Sequence, residues 1–124
     1  MGIIIDELAF SDVRGVRFHK PSQNYIAEIA MMRDQAELMV YRAANLLNTG
    51  QPCHLEASMA KVVASEYAVK SADLGISILG GMGYSADTDM QRYWRDARLW
   101  KIGPITNEMA RNAIAEQLGL PRSF

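Results

Sequence analysis

A chain of 124 residues, 49% apolar and 22% charged, is long enough for one domain with one core and has the ordinary balance of a globular protein. Its net charge of -1 argues against a nucleic-acid surface, which needs clustered lysine and arginine. No apolar run approaches the roughly 20 residues of a membrane span, the start lacks the pattern of a signal peptide, and the single Cys53 excludes an internal disulfide and suits a reducing compartment.

Residues 1–21 carry Ile3, Ile4 and Ile5, then Leu8, Ala9, Phe10 and Val13; a short amphipathic helix and a buried strand both fit this run. From Ser22 to Asn48 the apolar residues Ile29, Met32, Ala36, Met39, Val40, Ala43, Leu46 and Leu47 recur at three- and four-residue spacing. That spacing predicts one helix with one apolar stripe, capped by Ser22 and stopped at Asn48-Thr49-Gly50. A second helix is expected from His54 to Leu79. Its large stripe is Leu55, Met59, Val62, Val63, Tyr67, Leu74 and Ile78. A small one, Ala57, Ala60, Ala64, Ala68, Ala72 and Gly75, runs beside it. Residues without bulk at helical spacing let backbones approach closely, so two flanking helices are implied.

Gly80, Gly81 and Gly83 then end that helix, glycine supplying a left-handed cap without steric cost. A short helix is expected over 88–95, with Asp87 and Asp89 favouring its first turn, and a last one over 105–118 with Met109, Ala110, Ala113, Ile114 and Leu118 facing inward. Gly119-Leu120-Pro121 stops it. Trp94 and Trp100 read as core anchors. His19 and His54 lack the cysteine or carboxylate pattern of a metal site, and no Ser/His/Asp arrangement is visible. The expected fold is all-α, an antiparallel up-and-down bundle over residues 22–124.

Three motifs sharpen this. Ile78-Leu79-Gly80-Gly81-Met82-Gly83-Tyr84 is followed by Arg95-Asp96-Ala97-Arg98 and then by Pro104-Ile105-Thr106. In that order they resemble the C-terminal helical domain of the acyl-CoA dehydrogenases, FAD-dependent enzymes that desaturate acyl-CoA thioesters between the α and β carbons. Phe18-His19-Lys20-Pro21 is similar to the family's Phe-Gly-Lys-Pro loop, with Arg14 or Arg17 as candidates for its flavin-contacting arginine. The likeness is continuous from Gln23 onward, roughly four-fifths of the chain. The helix that normally precedes the loop is mostly absent. Ile3-Ile4-Ile5 is a candidate to fill the groove it leaves, in its own chain or by exchange with a neighbour.

The resemblance implies functional residues as well. Many members carry the catalytic glutamate in a Glu-Gly-Thr triplet; here that triplet is Pro104-Ile105-Thr106, so proline stands in place of the base. Some members place the glutamate on the helix before the Phe-Gly-Lys-Pro loop, where Glu7 is the only nearby glutamate. Gly80, Gly81, Thr106 and Glu108 are the residues that the resemblance brings to the cofactor. Gly80 and Gly81 would approach its adenosine portion across a dimer, and Thr106 would meet the adenine side from a helix start whose backbone donors point outward. Glu108 stands where many members have glutamine, and it also reads as an exposed carboxylate in a first helical turn. Ser77 stands where a glutamine usually precedes the glycine pair.

Two readings follow. One is the C-terminal piece of a flavoenzyme, inactive alone, holding FAD and acyl-CoA only in the complete enzyme. The other is a non-catalytic oligomerisation module derived from that family. In both, a homo-oligomer is expected, with its location in the cytoplasm or, in a eukaryote, the mitochondrial matrix.

Overall fold

The computed structural model describes residues 20–122. Within them the chain forms α1 (Lys20–Asn48), α2 (His54–Leu79), the single turn α3 (Gly81–Tyr84), α4 (Met90–Trp100) and α5 (Asn107–Gln117), and no strand. The first-segment residues Glu7, Arg14, Arg17 and His19, and Ile3-Ile4-Ile5, lie outside the described residues.

Helix α1 begins two residues before Ser22, because a proline in the first turn has no N–H to lose there and Pro21 can join the helix. It ends as the asparagine–threonine–glycine signal predicts. Gly50 has φ +68, its N–H reaches Leu47, the N–H of Gln51 reaches Leu46, and the Thr49 hydroxyl donates to Asn45, so the last carbonyls find donors. The short connection sends α2 back alongside. Arg42 pairs with Glu56 near the turn and Lys70 with Glu28 farther along, so the two helices are antiparallel.

The centre of the molecule is α2, which packs against each of the other helices. Ile29 and Met32 of α1 meet Ala72 of α2 and Met90 of α4 in the buried cluster, with Tyr67, Leu74 and Ile78 at its margin. The small stripe is what permits this. Ala60, Ala72 and Gly75 are buried, Ala64 and Ala68 half-buried, and only Ala57 is exposed. A Cβ on Gly75 would lie 2.6 Å from the Met90 sulfur.

Several details depart from the expected pattern. Val40 and Leu47 of α1, Met109 of α5 and Leu118 just beyond its end are exposed, since each of these helices packs chiefly on α2 and buries a narrower stripe than its sequence offers. The short helix lies at Met90–Trp100 rather than 88–95. Thr88 spends its hydroxyl on the Met82 carbonyl, and no glycine or proline interrupts the helix before Gly103. Trp94 and Trp100 are not core anchors: they are 36% and 61% exposed, because α4 turns Met90 and Ala97 toward α2 and the tryptophans leave on other faces.

The glycine turn also differs. Gly80 has positive φ, as its position after a helix suggests, but at φ 60, ψ -137 it occupies a glycine-only region outside the left-handed helix. Gly81 and Gly83 continue into α3 instead of ending the chain's helical course. Gly83 is buried because a Cβ there would sit 2.8 Å from the Ile76 backbone. The absent side chain lets α3 fold back on the end of α2.

Candidate functional site

Two places carry the residues of interest, and both are organised by α2. At its C-terminal end, Gly80 and Gly81 are exposed, and a Cβ on either would meet nothing within 4 Å. Their backbone is therefore open to close approach from outside. The second place lies beside the middle of α2, where the turn from Lys101 to Thr106 leads into α5.

That turn is held by a polar cluster around Asn107 and Glu66. Asn107 is fully buried. Its Oδ1 accepts from Lys61 Nζ and, at 3.0 Å, from the Ser65 hydroxyl, while its Nδ2 donates to Glu66 at 3.0 Å. Glu66 also accepts from Lys101 Nζ at 2.6 Å and from Arg111 at 2.9 Å. The Asn107 N–H closes the turn on the Lys101 carbonyl at 3.0 Å. Burial alone would raise the Glu66 carboxyl; the hydrogen bonds from Lys101, Asn107 and Arg111 outweigh it and lower it to about 2. For Lys61, burial lowers the ammonium pKa and the carboxylates of Glu108 and Glu66 partly restore it.

Thr106 caps α5, accepting from the Met109 N–H at 3.2 Å. Glu108, in the first turn of α5, is exposed. Its carboxyl is held below the usual range chiefly by its own backbone N–H, then by the Thr106 side chain and the charges of Arg111 and Lys101. Two of the expected outward-pointing donors are thus already engaged: Asn107 N–H by Lys101 and Met109 N–H by Thr106. A helix start loaded with a carboxylate repels phosphate. It remains suited to a neutral hydrogen-bonding ring or hydroxyl.

Gly80 and Gly81 are not brought to Thr106 and Glu108 within this chain. Asn107 packs on Lys61, Ser65 and Glu66, and Gly80 lies at least fourteen residues farther along α2, about 20 Å at the helical rise. The two sets could touch the same part of one ligand only if different copies supplied them. Pro104 is exposed in the turn. Among the described residues no group of three His, Cys, Asp or Glu side chains is placed to hold a metal. The Glu66–Asn107 cluster escaped the sequence reading. Lys61, Ser65 and Glu66 at helical spacing were its visible half, but the partners from 101–111 are distant in the chain.

The comparisons agree with this architecture. Residues 15–119 match the family described as acyl-CoA dehydrogenase, C-terminal domain. Over 93 residues the chain is 41% identical to the mitochondrial short-chain specific acyl-CoA dehydrogenase of Rattus norvegicus, covering 75% of this chain and 23% of that one. An acyl-CoA dehydrogenase of Bacillus subtilis (strain 168) is 43% identical over 93 residues, 75% of this chain and 24% of its own. Butyryl-CoA dehydrogenase from Megasphaera elsdenii superposes with a TM-score of 0.85 at 28% identity, covering 94% of this chain and 32% of that one. The FAD complex of PigA superposes with a TM-score of 0.87 at 26% identity, covering 96% and 33%. The chain thus spans about a quarter of the length of the curated relatives it matches. Fold, motif order and sequence agree, and the chain belongs to the acyl-CoA dehydrogenase family as its C-terminal helical domain.

Proposed function

We propose that this chain serves an FAD-dependent acyl-CoA dehydrogenase as its C-terminal helical piece, and that alone it does not dehydrogenate acyl-CoA. In the complete enzyme FAD supplies the acceptor for the hydride leaving the β-carbon. This chain would contribute Thr106 and Glu108 at the adenosine of one cofactor and the open Gly80–Gly81 backbone at another. Such division between cofactors suits a homo-oligomer. A location in the cytoplasm or mitochondrial matrix accords with bacterial and mitochondrial relatives, and no helix among the described residues is long and apolar enough to cross a membrane.

One observation carries the inactivity: the turn that would hold the base holds no free one. Abstraction of an α-proton needs a carboxylate whose pKa is near or above its ordinary value. Pro104 has none. Glu66 is ion-paired and lowered to about 2, and Glu108 is lowered by its own N–H and Thr106. Both are poorer bases than a free glutamate.

The chain as purified is expected to carry no flavin absorbance, and with added FAD to give no acyl-CoA-dependent reduction of an artificial acceptor, for straight or branched substrates. Turnover above the protein-free rate would place the base elsewhere and overturn this reading. A second reading, a non-catalytic oligomerisation module, draws on the exposed Met31, Leu38, Tyr41 and Leu47 of α1.

A further inference from the structure

Helix α4 presents an outward face that its packing on α2 does not use. Trp94 and Arg98, and Arg95 and Leu99, are four residues apart and so neighbours in pairs. Ile102 extends the strip through a turn in which its N–H bonds the Leu99 carbonyl at 2.9 Å. Leu99 is 63% and Ile102 55% exposed, and Trp94 is partly so. Arg95 and Arg98 are exposed, and neither has an ion-pair partner among the described residues. An apolar strip studded with unpaired cations selects a partner that is apolar and acidic.

Such a segment exists in this chain. Residues 3–13 contain Ile3, Ile4, Ile5, Leu8, Phe10 and Val13 together with Asp6, Glu7 and Asp12, and no lysine or arginine occurs before Arg14. It is within reach. Ile29 of α1 packs with Ala72 and Met90, so α1 starts near the end of α2 from which α4 also starts. The seven residues from Val13 to Lys20 span up to about 23 Å extended, and α4 is about 15 Å long. We propose that residues 3–13 dock in cis on the basic and apolar face formed by Trp94, Arg95, Arg98, Leu99 and Ile102. Acidic side chains of the segment meet the two arginines, and its apolar residues cover Trp94 and Leu99. The proposal is independent of the flavoenzyme reading.

The chain has two tryptophans, both on α4: Trp94 lies in the patch and Trp100 outside it, so tryptophan emission reads the patch through Trp94 against a constant Trp100 background. The full chain is compared with a triple variant, Asp6→Lys, Glu7→Lys and Asp12→Lys, with a double variant, Arg95→Glu and Arg98→Glu, and with the two combined. All substituted positions are exposed or outside the described helices, and far-ultraviolet circular dichroism checks that helix content is kept. Each separate variant is expected to shift emission to longer wavelength and raise acrylamide quenching, and the charge-swapped combination to return both toward the full chain. Unchanged emission and quenching in the separate variants, or no recovery in the combination, overturns the proposal. So does an emission shift on dilution that follows loss of an oligomer in sedimentation, because a second copy would then supply the segment.

Discussion

Among the described residues, the buried polar side chains divide into those that are satisfied and one, Ser71, that is not. Glu66 receives bonds from Lys101, Asn107 and Arg111, and its pKa is depressed in the folded state. A depressed carboxylate adds stability that is present above its unfolded value and lost as pH falls through the folded one. The relevant window therefore runs from near 4.5 down to about 2. The urea midpoint is expected to fall across that window in the parent and to fall less in Glu66→Gln. At pH 7 the same variant should be less stable by about 2 kcal/mol, as partly buried charge-assisted bonds are lost. A parent and variant with the same acid slope would show that Glu66 is not the linked group. Ser71 is the opposite case: its hydroxyl is fully buried with no hydrogen-bond partner among the described residues. Ser71→Ala removes an unpaid desolvation and should raise stability by about 1 kcal/mol in denaturant titration. A loss of stability would mean that the hydroxyl has a partner.

Between elements, close approach sets the sensitive positions. Gly75 and Gly83 are both buried, yet they should respond differently to alanine. At Gly75 the new Cβ meets the flexible end of Met90, which can shift, and the helix gains the higher propensity of alanine. At Gly83 it meets the Ile76 backbone at 2.8 and 2.9 Å, which cannot give without moving α2. Gly83→Ala is expected to cost about 2–3 kcal/mol and Gly75→Ala clearly less, by thermal or urea unfolding. Equal losses would place the strain elsewhere. Loss of Gly83 would also displace the neighbouring Gly80–Gly81 turn, tying packing in α3 to the open backbone at the end of α2.

For the whole molecule, the question is which surface association uses. The alanine stripe of α2 is mostly consumed inside the bundle, so Ala64→Glu should act on folding rather than on association. The exposed Met31, Leu38 and Tyr41 of α1 lie at helical spacing and are the better candidate for an interface. A dimer or larger oligomer is expected at micromolar concentration in analytical ultracentrifugation, weakened roughly tenfold or more by Leu38→Lys. A monomer whose sedimentation is the same with and without that substitution would exclude this face.

Local chemistry in the sequence determined the elements and the family. The spacing of Ile29, Met32 and Ala36, the glycine at position 50, the Thr106 cap and the order of the three motifs each act within a few residues or as contiguous strings, and each was legible. The absence of a carboxylate at Pro104 was equally plain. Tertiary structure alone decided what depends on partners distant in the chain. It placed Asn107 and Lys101 against Glu66, engaging the donors at the start of α5 and lowering the carboxylate. It turned Trp94 and Trp100 outward, since Met90 and Ala97 are the residues of α4 that are buried on packing. It also set Gly80 and Gly81 about 20 Å farther along α2 than Glu66, the residue that holds Asn107. Periodicity gives a helix its face, but the neighbour that covers that face is fixed only by packing.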